Sequence, residues 1–354
     1  MKKIILLLLL FVLAGCIEDY DAKTNGIDNI LVVEGMITSG TTQIKLSKSI
    51  GLDADYWLYN WGVDSSIFVK NALVYVECDD GSKSETVRSS DGGICLIETG
   101  ELKVDKKYRT VIQYEGEEYH SSFIAPAISP PVELSYRINY NINNKGDTIG
   151  INSIDVLVST QGFENQPRYY MWSYQEDWEI NSYLGWDKCW RTDNSRYLML
   201  GTSERLTVNA IKDRPICTIS PQNDRISELY RIRVKQNLMH QEGYDYMENL
   251  NRNSREIGDI FGPIPSELMG NIRCFSNPKI PVIGYVDVST ITTEDLYLTN
   301  EYFDTRYRIS QIMACNNQQQ EHQEQQQEPP KPPVWCTDCT NQGGTKIKPI
   351  DWPR

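Results

Sequence analysis

Between Asn29 and Ala127 the chain alternates short apolar runs with turn residues, and the spacing of two within each run predicts β-strands. "ILVVEGMIT" opens the series and "TQIKLSKS" follows Ser39-Gly40. "NALVYVECDD" puts Val74, Val76 and Cys78 on one face, and "YRTVIQYEG" does the same for Tyr108, Thr110, Ile112 and Tyr114. Many short strands at this spacing predict an immunoglobulin-like β-sandwich over residues 29–127. "APAISPP" then places three prolines within six residues. Proline lacks the N–H that a ladder needs, so the first module is expected to end there.

A second β-rich domain is expected over residues 128–315. In "YYMWSYQEDWEI" the residues Tyr170, Trp172, Tyr174, Trp178 and Ile180 share one parity, with Glu176 the exception, which predicts one apolar face of a long strand. One short helix is expected from Gln241 to Arg255, where Tyr244, Met247 and Leu250 recur every three residues. "IFGPIPSELMGNIRC" breaks it with glycine and proline, and "KIPVIGYVDVST" returns to strand character. Residues 316–333, "NNQQQEHQEQQQEPPKPP", hold no apolar side chain and predict a mobile Gln/Pro-rich segment. Residues 334–354 carry two cysteines and two tryptophans and read as a tail pinned back by disulfides. The fold class is therefore mainly β: a sandwich, a second β-rich domain with one short helix, and the tail.

The N-terminus has a different pattern. Lys2 and Lys3 precede an apolar run from Ile4 to Leu13, too short for the roughly 20 residues that span a bilayer. Small residues at Ala14 and Gly15 complete a signal peptide over residues 1–15, so the chain is expected to be exported. Leu-Ala-Gly-Cys resembles a bacterial lipobox, which makes Cys16 the expected lipidation site and the lipid the membrane anchor. Residues 16–28 read as a tether. Its Glu18, Asp19 and Asp21 resemble the acidic tag that directs lipoproteins of the Bacteroidetes to the outer face of the outer membrane, so the expected location is the cell surface.

Charge narrows the partners. The formal net charge of −13 becomes −15 when residues 1–15 leave with two lysines and no acids. Such a surface repels nucleic acid, which is not expected as a partner. Of nine cysteines, lipidation of Cys16 leaves eight, an even number that suggests up to four disulfides. The first expected pair is Cys78 with Cys95 across a hairpin and the second is Cys189 with Cys217, leaving Cys274 and Cys315 for Cys336 and Cys339. The alternative for "CTDC" is a redox dithiol or a zinc knuckle, but no second ligand pair stands at metal spacing, and neither a metal nor a cofactor is expected.

An enzyme needs its groups, and only three histidines exist: His120 in a strand-like segment, His240 near the helix start and His322 in the glutamine tract. No phosphate loop or dinucleotide fingerprint occurs. Paired carboxylates stay open, because their separation is a spatial fact. A binding protein has more to use. Eight large aromatics fall between Tyr169 and Trp190. Those sharing parity read as core, while Trp186 and Trp190 fall outside the strand and are the better candidates for a ligand or partner. "DADYWLYNWGVDSS" offers Trp57, Tyr59 and Trp61 on an aromatic loop of the first module.

The segments "ILVVEGMIT", "GYDYMENLNRN", "IFGPIPSELMGNIRC", "IPVIGYVDVST" and "CTDCTNQGGTKIKPIDW", in this order, resemble the DUF4249 lipoproteins of Bacteroidetes over nearly all of the mature chain. The resemblance implies an outer-membrane lipoprotein encoded beside a TonB-dependent receptor, with no catalytic residues to carry over. The expected function is a non-catalytic accessory or binding subunit of such a receptor in nutrient uptake. The alternatives are a free-standing glycan-binding or adhesive lipoprotein, and after it a carbohydrate-active enzyme.

Overall fold

The computed structural model describes residues 29–49, 67–185, 187–197, 199–256, 270–323 and 332–353. The first sandwich is built from β1 (Leu31–Thr38), β2 (Gly40–Lys48), β3 (Leu73–Cys78), β4 (Lys83–Ser89), β5 (Ile94–Gly100), β6 (Tyr108–Tyr114) and β7 (Glu117–Ser121). These strands form one hydrogen-bonded path that folds onto itself at β4. Lys83, Ser84 and Glu85 pair with β3, while Thr86, Arg88 and Ser89 pair with β5, so the chain changes layer within one strand. Val33, Ile37, Ile44, Leu46 and Ile97 of one layer then share a core with Val74, Val76 and Ile112 of the other. Burying each such side chain contributes about 1.5–3 kcal/mol.

The second unit stacks a three-stranded sheet, β8 (Val132–Ile142), β9 (Thr148–Gln161) and β13 (Ala210–Ile219), on a five-stranded one. The latter holds β10 (Tyr169–Asn181), β11 (Lys188–Asn194), β12 (Met199–Thr202), β14 (Tyr230–Met239) and β17 (Ile291–Leu298). Tyr170, Trp172, Trp178 and Ile180 lie in its core beside Val156, Val158, Tyr230 and Ile232, as their shared parity predicts.

Two strands cross the expected boundary. β15 (Ile272–Cys274) pairs with β7, and β16 (Val282–Ser289) runs parallel to β1 from Leu31↔Val282 to Thr38↔Ser289. Their Ile272, Cys274, Val286 and Val288 belong to the first core, so a linear division into 29–127 and 128–315 does not separate the two cores. Parallel strands require long crossovers, and here the entire second unit serves as one. Gly284, at φ +145, lets β16 lie close against Val33, where a side chain would strike the Val33 carbonyl.

The expected helix is α1 (Gln241–Glu256). A second, α2 (Thr305–Gln323), enters the segment expected to be mobile from residue 316 onward. Glutamine and glutamate are good helix formers, so the absence of apolar residues there does not by itself prevent a helix. A short α3 (Val334–Thr337) and a 3₁₀ turn (Cys339–Gln342) begin the tail. Thr345 then pairs with Trp190 in both directions, N to O at 2.9 and 2.8 Å, which stitches the tail to the edge of β11. The architecture is mainly β, with the sandwich first and a disulfide-pinned tail last, as the sequence predicts.

Candidate functional site

The buried acids of β10 are neutralised by partners. Asp177, fully buried, accepts from Arg231 Nη2 at 2.7 Å and from Thr192 Oγ1 at 2.6 Å. Arg231 is itself 1% exposed, donates Nη1 to the Ile350 carbonyl at 2.9 Å and lies under the Trp352 ring. The tail thus closes over a buried ion pair. Glu176 accepts from the Tyr230 hydroxyl at 2.8 Å and has Arg225 at 3.1 Å, close enough for an ion pair though the guanidinium is not aimed as a hydrogen-bond donor. Glu179 pairs with Lys188, and Asp155 with Arg137 at 2.8 Å. Carboxylates engaged in this way hold structure together and are poor proton donors or nucleophiles.

A histidine–carboxylate pair not foreseen from the sequence joins the two units. His240, between β14 and α1, has Nδ1 2.7 Å from Asp287 of β16, which also accepts the His240 backbone N–H at 2.9 Å. Asp287 is 1% exposed. Its hydrogen bond raises the His240 pKa above the ordinary value against the opposing effect of burial, and Glu242 adds in the same direction. A histidine whose folded pKa is raised contributes stability fully below its unfolded value, near pH 6.5, and loses that contribution as pH rises through the folded value. His240→Gln is therefore expected to cost about 1.5 kcal/mol in mildly acidic solution and less at alkaline pH. Melting curves against pH would test this, and a difference independent of pH would contradict titration of the pair.

The thiols depart from the expected pairing. Cys189 bonds to Cys339 and Cys315 to Cys336, whereas Cys78, Cys95, Cys217 and Cys274 are free. Cys78 and Cys95 fail to pair because they stand at opposite ends of β4, Cys78 beside Ser82 just before its start and Cys95 beside Ser89 at its end. The roughly seven residues of strand between these points, at about 3.3 Å each, exceed the Cα separation that a disulfide tolerates. Cys217 faces Glu176 and Tyr230 across the sandwich, away from Cys189 on the tail's edge. Burial, with Glu176 adding to it, pushes its thiol up to about 12, and burial also raises Cys78 and Cys95, which favours the protonated thiol over the nucleophilic thiolate. With Cys336 and Cys339 in separate disulfides, "CTDC" is neither a redox dithiol nor a zinc knuckle. Asp187, Asp338 and Cys339 do converge, but the Cys339 sulfur is bonded and Asp187 is held by Lys346 at 3.2 Å.

Of the candidate aromatics, Trp190 is half-buried with its backbone committed to the tail. Trp57, Tyr59, Trp61 and Trp186 lie outside the described residues, as do Cys16, Glu18, Asp19 and Asp21. Beside the flanks of the aromatic segment an open groove of about 550 Å³ is lined by Lys48, Phe68, Lys70, Asn71, Tyr114 and Glu115, a volume within the usual range for ligand pockets. Lys48 lies 5.5 Å over the Tyr114 ring and 3.2 Å from Glu115, and the Tyr114 hydroxyl donates to Glu115 at 2.6 Å. These bonds lower the Glu115 pKa and raise that of Lys48, so both stay charged near neutral pH. The groove thus offers an aromatic face, an ammonium, a carboxylate and an amide together. "TQIKLSKS" and "YRTVIQYEG" hold Lys48, Tyr114 and Glu115, but their meeting depends on the sheet layers and has no local sequence signal.

Among solved structures, the chain is similar to a two fibronectin type-III domain segment from chicken tenascin, with 13% identity, a TM-score of 0.18, and coverage of 59% of this chain and 90% of that one. No curated protein matches it. The model of the family described as a domain of unknown function, DUF4249, matches residues 17–295, and the chain belongs to that family.

Proposed function

We propose that this is a lipid-anchored protein of the outer membrane, facing the cell exterior, that serves a TonB-dependent receptor as a non-catalytic binding and docking subunit in nutrient uptake. The observation that carries the binding role is the groove at Lys48, Phe68, Tyr114 and Glu115, charged and aromatic at once. Paired carboxylates in β10 support a non-catalytic reading, because groups fixed by Arg231, Tyr230 and Lys188 are not free to exchange protons with a substrate. The anchor is argued from Leu13-Ala14-Gly15-Cys16 behind a short apolar run.

The groove also favours a second reading, a free-standing glycan-binding lipoprotein, because a tyrosine face beside carboxylate and amide groups suits sugar rings and their hydroxyls. Mild detergent extraction and affinity purification distinguish the two. A stoichiometric β-barrel partner is the expected result, and a protein that purifies alone yet binds glycans in a way that Tyr114→Ala abolishes would favour the second reading. Cys16→Ser is expected to release the protein from washed membranes in either case, since acyl burial at about 0.8 kcal/mol per CH₂ is then lost. Retention of that variant would sink the anchor.

A further inference from the structure

The second unit joins the first sandwich at one end. There the Ser129 N–H donates to Thr290 Oγ1 at 2.8 Å and the Leu238 N–H to Ser289 Oγ at 3.1 Å. The strands finish at the other end in a tip that both layers share. Lys48 closes β2 opposite Leu31, Tyr114 closes β6, and Phe275 follows β15 with its N–H on the Glu118 carbonyl. Lys48 Nζ, 3.2 Å from Glu115, ties the layers together there. The chain enters the fold at the same tip. The Asn29 N–H donates to the Ser49 carbonyl at 3.0 Å, the Ser49 N–H to the Ile30 carbonyl at 2.9 Å and the Ile30 N–H to Ser49 Oγ at 3.0 Å, which fixes the point of entry.

We propose that this tip rests on the lipid headgroups of the membrane, with Phe68, Lys70, Phe275 and Lys279 against them, a reading that stands on the anchor at Cys16 proposed above. The length of the link decides which end can do so. Twelve residues, 17–28, separate Cys16 from Asn29. Such a chain spans at most about 45 Å when fully stretched and about 20 Å as a flexible coil. β1 alone, with its eight residues, is about 25 Å long, so bringing the opposite end to the bilayer requires the link to run back along the sandwich near its full stretch. Entry at the tip removes that demand. The tip also carries groups that suit an interface, because aromatic rings and long lysine side chains settle at headgroup level. Phe275 is 69% exposed although one face stacks on His120 at 4.8 Å, and Lys70 and Lys279 are exposed. In the turns of the tip Lys48, Lys70 and Lys279 match Asp91, Glu115 and Glu117, a local balance in a chain of net −13. An anionic headgroup layer therefore opposes the tip less than it opposes the acidic surface as a whole. The groove at Lys48 and Tyr114 belongs to this tip, so its ligand is met at the bilayer surface.

Energy transfer from the lipidated full chain to acceptor-labelled headgroups, in vesicles of phosphatidylethanolamine and phosphatidylglycerol, tests this. The donor is placed on Asn277→Cys at the tip or on Lys107→Cys at the opposite end, both exposed positions, whereas the native free thiols are buried or half-buried. Transfer is expected to be several-fold greater from position 277. Lys70→Glu combined with Lys279→Glu reverses both charges and is expected to remove most of that difference while Cys16 keeps the protein on the vesicles. Both lysines are exposed, so an unchanged melting temperature would show that the variant folds, and the comparison of the two labels decides the proposal without it. Equal transfer from the two positions, or more from 107, would overturn the proposal. So would a difference indifferent to the charge reversals, or one that arises only when receptor-containing outer membrane replaces pure lipid, since a protein would then hold the tip. A lipidated chain that fails to sediment with the vesicles defeats the anchor and this proposal together, whereas a bound chain with the wrong transfer defeats this proposal alone.

Discussion

Asp177→Ala is expected to lower the stability of the second unit by about 3–5 kcal/mol, the cost of leaving a buried charge without its partner. The charge left behind is Arg231, 1% exposed, whose other contacts are the Ile350 carbonyl and the Trp352 ring. Neither can neutralise a guanidinium. Thr192 Oγ1 and Gln175 Nε2 lose an acceptor at the same time. Replacing both charges, Asp177→Leu with Arg231→Met, is expected to cost clearly less than Asp177→Ala, because a hydrophobic pair of similar volume removes the desolvation penalty together with the attraction. Denaturant unfolding of the two single variants and the double variant supplies the cycle. Costs that simply add would show that the two groups are not coupled, and that the closeness of Arg231 to Asp177 has little energetic consequence.

The same pair marks where the sequence stops being legible. Alternation in "YYMWSYQEDWEI" identifies the core face of β10 correctly, with Glu176 as its single exception. The partner that lets this acid sit there is Tyr230, from a strand more than fifty residues away, and no local pattern indicates it. Asp177 stands on the opposite face, where alternation predicts solvent, and is buried because the tail closes over it. The return of β16 to β1 is hidden for the same reason. Parallel pairing across the length of a domain leaves no turn signal, only a strand whose residues from Gly284 to Ser289 are all buried. Asp287 inside that strand was the available clue. An acid at a buried position demands a donor, and two of the three histidines, His120 and His240, lie in the described strands or at their ends. The groove at Lys48 and Tyr114 was not readable, because each residue alone is an ordinary strand end.

Breaking the Cys189–Cys339 bond by changing both residues to alanine is expected to destabilise the fold more than the same treatment of Cys315 and Cys336. The first bond closes a loop across 150 residues and the second across 21. In the chain-entropy account these constrain the unfolded state by about 5 and about 3 kcal/mol respectively. The smaller loop lies inside the larger, so the two contributions do not simply add. The larger bond also holds the tail where it acts: Cys339 begins the turn that leads to the Thr345–Trp190 pairing, the Ile350 carbonyl on Arg231 and the Trp352 ring. Its loss therefore frees the cover of the Asp177–Arg231 pair, and in that background Asp177→Ala is expected to cost less than in the wild type, because water can reach the remaining guanidinium. Thermal melts of the variants give the ranking, and peptide mapping under non-reducing conditions gives the connectivity. A Cys336–Cys339 linkage, or free thiols at those positions, would remove the basis of the ranking and return "CTDC" to the redox and metal chemistry that the two separate bonds exclude.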